Sequence, residues 1–169
     1  VATTSSNISR VSFLCGIFII ALLCGCAHMR VQQSELLPGE YVIKARAANF
    51  IISLNNYGLS RLGFDRNMWI IGMDGKEAIG GKLHLTNYRL IFKSHALNRV
   101  TGKFSIFLPT IQELNNRSSV VVKKVEVVTP TQSYEFVVWG IPSFIEAITS
   151  ARNRLTQKEI EFLRATTVK

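Results

Sequence analysis

Gly81-Lys-Leu-His-Leu-Thr-Asn-Tyr-Arg-Leu-Ile-Phe92 decides the fold of this chain. Leu83 and Leu85 alternate with Lys82, His84 and Thr86, as a half-buried strand requires. Asn87 breaks the alternation, and Leu90 and Phe92 resume it, so the stretch reads as strand, tight turn, strand. Thr86 and Asn87 fall where one strand hands over to the next, and their short polar side chains can satisfy the turn's backbone groups.

The same period extends in both directions. Glu40–Ser53 reads as one long strand, or two short ones interrupted at Ala45–Asn49. Met68–Met73 is an apolar strand ended by Asp74-Gly75, a strong turn dipeptide. Gly102–Leu108 alternates Phe104, Ile106 and Leu108 with polar neighbours, apart from Phe107. Ser119–Thr129 is valine-rich and reads as a strand, Pro130–Ser133 as a turn, and Tyr134–Trp139 as the last strand. The period then changes. Ser143 with Glu146 forms a capping box, and Phe144, Ile148, Ala151 and Leu155 follow on one face of an amphipathic helix. A second capping pair, Thr156 and Glu159, can open another short helix.

About seven meander strands and one C-terminal helix predict a mainly β fold: a bent sheet sandwich or barrel, capped by the helix. The strand–turn–strand motif resembles the GRAM domain of the pleckstrin-homology-like superfamily. Gly81, Leu83, Leu85, Thr86, Asn87, Arg89, Leu90 and Phe92 carry the likeness, with Phe104–Pro109, Ile111, Tyr134–Phe136 and Phe144 following in the family's order. The likeness covers roughly Leu36 to Leu155 and identifies a fold rather than a site. Relatives of this fold are often associated with membrane lipids. By that analogy Lys44, Arg46, Arg61 and Arg66 would face an anionic headgroup; a solvated rim, the default for exposed cations, is the simpler account of them.

Ahead of this domain, Val11–Ala27 is a separate apolar helix-length run containing Leu23-Cys24-Gly25-Cys26. This resembles the lipobox of bacterial lipoproteins, in which the cysteine is lipidated and becomes the new N-terminus. The division that follows is signal peptide 1–25, lipidated Cys26 with a polar tether 26–38, domain 39–156, and tail 157–169 able to form a short helix. Two alternatives stand beside it: an uncleaved transmembrane anchor, since about 17–25 apolar residues suffice to span, and a buried helix. Cys15, Cys24 and Cys26 are the only cysteines, so the remainder has no thiol nucleophile and no cysteine metal site. The lipobox implies a bacterial envelope, and Ala27 in place of an aspartate after Cys26 points towards the outer membrane.

A net charge of +9 suits an anionic neighbour, though charge of this size also serves plain solubility. No nucleic-acid motif accompanies it. His84 and His95 lack metal-ligand spacing, Gly80-Gly81-Lys82 is no phosphate loop, and no catalytic constellation is visible. The expected role is therefore non-catalytic binding without a cofactor or metal. The partner is the membrane through the lipid, with an anionic lipid or an unidentified protein at the domain surface. A peptide added at a sheet edge, with Phe107 or Trp69 as an apolar anchor, is the protein-binding form of that expectation.

Overall fold

The computed structural model describes residues 29–58 and 75–167. The lipobox Leu23, Cys24, Gly25 and Cys26, the N-terminal apolar helix, Arg61, Arg66, Trp69 and the Met68–Met73 strand all lie outside them. Among the described residues seven strands form one antiparallel sheet: β1 (Val42–Ser53), β2 (Lys76–Thr86), β3 (Arg89–Ser94), β4 (Lys103–Phe107), β5 (Glu113–Asn116), β6 (Lys124–Val128) and β7 (Ser133–Val138). Their order is β4-β3-β2-β1-β7-β6-β5, followed by helices α1 (Ile141–Asn153) and α2 (Gln157–Thr167).

β1 is continuous, without the break that Ala45–Asn49 suggested. It is paired with β2 along its length, and Ala48–Ile51 are also paired with β7. Pairing with β2, joined by β7 at Ala48 and Asn49, overrides the weak strand preference of alanine and asparagine. β5 formed where the sequence carried little strand signal, because the free edge of β6 receives Glu113–Asn116. Conversely, Ser119–Val122 closes a turn: Ser119 N–H donates to the Val122 carbonyl at 2.9 Å, and Val122 N–H donates to Ser119 Oγ at 3.0 Å. Only Lys124–Val128 of the valine-rich stretch is strand.

The sheet is sharply bent. β4 and β7 stand four strand spacings apart, about 19 Å in a flat sheet. Yet the Phe104 ring of β4 stacks on Tyr134 of β7 with centroids 5.3 Å apart. The inward side chains of both halves meet in one core: Leu83, Leu85, Leu90, Phe92 and Ile106 from one, Val125, Val127, Phe136 and Val138 from the other. Gly81 permits this closeness, since a Cβ there would lie 2.4 Å from the Lys93 carbonyl oxygen and 2.6 Å from the Phe92 ring.

α1 closes one end of the bent sheet. Phe144, Ile148 and Ala151 are buried and Leu155 packs partly buried beside them, as the spacing predicted. The helix begins earlier than the Ser143–Glu146 box implied. Gly140 is the N-cap, in a left-handed conformation at φ +67°, and Pro142 sits in the first turn, where its fixed φ suits a helix start. Ser143 Oγ instead donates to the Gly140 carbonyl at 3.0 Å. The Thr156–Glu159 box does form, with Thr156 N–H donating to Glu159 Oε2 at 2.8 Å and Glu159 N–H to Thr156 Oγ1 at 3.3 Å. α2 belongs to the folded body, because its Leu163 is buried.

Candidate binding surfaces

The Thr86–Arg89 turn organises the most highly connected polar site. Glu40 is buried at 4% exposure. Its Oε1 accepts from Thr86 Oγ1 at 2.7 Å and Arg89 Nε at 2.9 Å; its Oε2 accepts from the Leu37 N–H at 2.7 Å and Arg89 Nη2 at 3.0 Å. Thr86 Oγ1 also accepts the Tyr88 and Arg89 N–H groups. Asn87 completes the knot: Oδ1 accepts from Tyr41 N–H at 2.8 Å, and Nδ2 donates to the Gly39 carbonyl at 3.1 Å. Thr86, Asn87 and Arg89 therefore all hold the chain entering β1.

This knot continues into residues 30–38, assigned to the tether. They lie docked against β3 and β4. Lys93 Nζ donates to the Arg30 carbonyl at 2.7 Å, and Arg89 Nη2 to the Glu35 carbonyl at 2.8 Å. The Glu35 carboxylate takes Lys93 at 3.0 Å and Lys103 at 2.8 Å. The Lys103 ammonium, helped by the Gln32 amide and Lys93, holds this carboxyl down to about 2. His84 lies on the same outer face, buried, with its Nδ1 lacking a hydrogen-bond partner. Burial pushes its imidazole below its ordinary value, and Lys82 and Lys93 push the same way, against an Ile91 backbone contact and Glu35.

Both groups take up protons less readily folded than unfolded, so stability is lost as pH falls. The His84 contribution is complete above its unfolded value of 6.5 and declines below it; that of Glu35 is complete above 4.5 and is lost by about 2. Urea midpoints measured from pH 8 downwards should stay level to about 6.5 and then decline. His84→Gln should remove the decline between pH 6.5 and 5, and an unchanged profile in that variant would show that His84 is not its source.

The headgroup residues suggested by the lipid analogy are differently placed. Lys44 is half-buried on β1 opposite Leu85. Arg46, two residues on, donates through Nη1 to the Trp139 carbonyl and through Nη2 to Ser143 Oγ at 3.0 Å, and its guanidinium lies 5.9 Å from the Phe144 ring centroid. The Arg46 guanidinium thus ties β1 to the start of α1, and its Nε has no partner. Around that end stand Val120, Val121 and Trp139, respectively 96%, 73% and 75% exposed, with Lys123 and Lys124 beside them.

The opposite end of the sheet is open. A cleft of about 430 Å³ there is lined by Phe50, Tyr57, Lys76, Phe104, Tyr134 and Glu135, among others. A neighbouring one of about 220 Å³ shares Phe50, Tyr57 and Phe104. Lys76 and Glu135 pair across the first cleft at 3.2 Å. Phe107, considered as a peptide anchor, is half-buried beneath the Arg89 guanidinium, which lies 5.7 Å from its ring centroid. Its strand, β4, is one edge of the sheet and β5 the other.

Among the described residues no group of three His, Cys, Asp or Glu could hold a metal, and no helix is long and apolar enough to cross a membrane. His95 is a turn residue whose Nδ1 accepts the Leu97 N–H at 3.1 Å.

No family model and no curated protein matches the sequence. Among solved structures, the C-terminal domain of an unknown protein from Leishmania infantum is similar at 16% identity, over 69% of this chain and 88% of that one, with a TM-score of 0.47. The N-terminal PH domain of human ARAP2 is similar at 17% identity, over 68% and 84%, with a TM-score of 0.42. By its strand order and closing helix, the fold is pleckstrin-homology-like. A fold does not by itself fix a function, which is set by the residues on its surfaces.

The sequence reading missed Glu35, Glu40 and the role of Arg89. One signal was available. A tight turn at Thr86–Arg89 fixes the hairpin register, so that Lys82 must face Lys93, and two lysines directly opposed ask for a counter-charge.

Proposed function

We propose that this chain is a lipoprotein, lipidated on Cys26, which presents a non-catalytic GRAM-type binding domain at a bacterial cell envelope. The observation that carries the reading is Leu23-Cys24-Gly25-Cys26 closing an apolar run directly ahead of a folded body docked from Arg30 onwards. At about 3.3–3.6 Å per residue, Cys26 and Arg30 are separated by roughly 14 Å at most. A lipid on Cys26 would therefore keep the domain beside the headgroups rather than on a long leash. More than one acyl chain anchors stably without help from the protein surface, which leaves that surface free for a partner.

The competing reading is an anionic-headgroup domain on an uncleaved transmembrane anchor. Lys44 remains available to it, whereas Arg46 is engaged with Trp139 and Ser143. Radiolabelled palmitate decides between them: the parent chain should incorporate label, and Cys26→Ser should not. An unlabelled parent would sink the lipoprotein reading in favour of the transmembrane anchor.

A further inference from the structure

Three lysines stand in one row across the outer face of the sheet, Lys82 opposite Lys93 and Lys93 opposite Lys103. Adjacent strands are about 4.8 Å apart, and like charges directly opposed destabilise a sheet. Among the described residues one carboxylate pairs with this row, that of Glu35. Arg89 beside it is matched by Glu40. A single negative charge therefore faces three positive ones. Next to Glu35 lies a cavity of about 80 Å³, lined also by Arg89, Ile91, Lys103, Phe104 and Ser105. Arg89 Nη1 donates to Ser105 Oγ at 3.3 Å in its wall.

The segment that supplies Glu35 is not part of the sheet. Lys93, Lys103 and Arg89 provide the hydrogen bonds that tie Arg30–Leu36 to it. No residue from Met29 to Gly39 is buried. The hold is thus mainly electrostatic and open to screening and to competing anions. Immediately after it, the buried Glu40 fixes the chain, and Gly39 holds a left-handed φ of +74°. The segment can swing out ahead of Leu37, whose N–H Glu40 holds, without breaking a strand pair.

We propose that the Lys82–Lys93–Lys103 row is a phosphate-binding site, and that Glu35 is a plug from the same chain that fills it until a phosphate group displaces it. The charge balance favours phosphate over carboxylate. A carboxylate leaves two of the three lysine charges unmatched, whereas a phosphate monoester of about −1.5 to −2 leaves close to one. Its several acceptor oxygens also suit donors arriving from adjacent strands. Free phosphate and a lipid headgroup offer the same chemistry.

The test uses the full chain in neutral detergent micelles at constant ionic strength. It is titrated with inorganic phosphate and, separately, with phosphatidic acid doped into the micelles. Glu35→Gln should bind at least one probe about tenfold tighter than the parent, the equivalent of removing one charge-assisted competitor. Adding Lys93→Gln and Lys103→Gln should abolish that gain. A gain with inorganic phosphate assigns a soluble ligand, and a gain confined to phosphatidic acid assigns a headgroup. Equal affinity of parent and Glu35→Gln for both probes overturns the site, as does binding that survives loss of both lysines. The parent chain gives an independent readout. The effective probe should speed trypsin cleavage after Arg30 several-fold, whereas chloride at matched ionic strength should not. Equal rates with probe and chloride overturn the plug.

Discussion

Replacing Arg89 with leucine should lower the stability of the domain by about 3–5 kcal/mol, the usual cost of stranding one member of a buried ion pair. The Glu40 side chain is wholly buried and receives two of its four hydrogen bonds from Arg89. Leucine fills part of the space but leaves a carboxylate with only Thr86 and the Leu37 amide as donors. The chain must then keep an unmatched charge out of water or take up a proton, and either is unfavourable. Lysine is no substitute, because one ammonium cannot reproduce the paired Nε and Nη2 contacts. Single domains are stable by only about 5–15 kcal/mol, so the variant would sit near its unfolding threshold. Urea unfolding of Arg89→Leu, Glu40→Gln and the double variant measures the coupling. The double variant should cost clearly less than the sum of the singles. Strict additivity, or a loss below about 1 kcal/mol for Arg89→Leu, would show that Arg89 is not the counter-charge.

This pair also explains what the sequence could and could not disclose. Thr86-Asn87-x-Arg89 was readable as a turn because turn chemistry is local, and the same holds for the Thr156–Glu159 cap and the Phe144–Ile148–Ala151 face. Alternation placed the inward residues of β2, β3 and β4 correctly for the same reason. Glu40 lies 49 positions from Arg89, and nothing in either neighbourhood announces the other. Arg46 is a sharper case. Its alternation partner Ala48 faces the core, so the residue sits on the inward side, where an exposed cation was expected. Only the arrival of Trp139 and Ser143, more than 90 positions later, gives its guanidinium an acceptor. Local preference also lost where a neighbouring strand was the deciding factor. Asn115 and Asn116 became strand because β6 offered an edge, while Val120 and Val121, with no strand to pair with, did not. Residues 30–38 read as tether because they lack apolar period, and their docking rests on charge from strands more than fifty positions away.

The bend of the sheet gives the second large effect. Phe136→Ala should cost about 3–5 kcal/mol, the range for a buried phenylalanine. Its ring is fully buried on β7 and lies 5.4 Å from Phe50, 5.9 Å from Phe92 and 6.2 Å from Phe104. Those partners come from β1, β3 and β4, so the one ring touches both halves of the sheet at the point where it folds over. Removing it leaves a void that the neighbours cannot fill without flattening the bend, and each loses aromatic contact as well as buried area. Phe136→Leu keeps most of the volume and should cost under about 1.5 kcal/mol if its surroundings repack. Phe162 on α2 is the internal comparison, since it is 41% exposed and among the described residues meets a single ring, that of Tyr88 at 6.5 Å. Urea midpoints should fall in the order Phe162→Ala, Phe136→Leu, Phe136→Ala, with the last by far the lowest. If Phe136→Ala were no worse than Phe162→Ala, the ring cluster would not be what holds the two halves together. The open-end clefts walled by Phe50, Phe104 and Tyr134 would then need another source of shape.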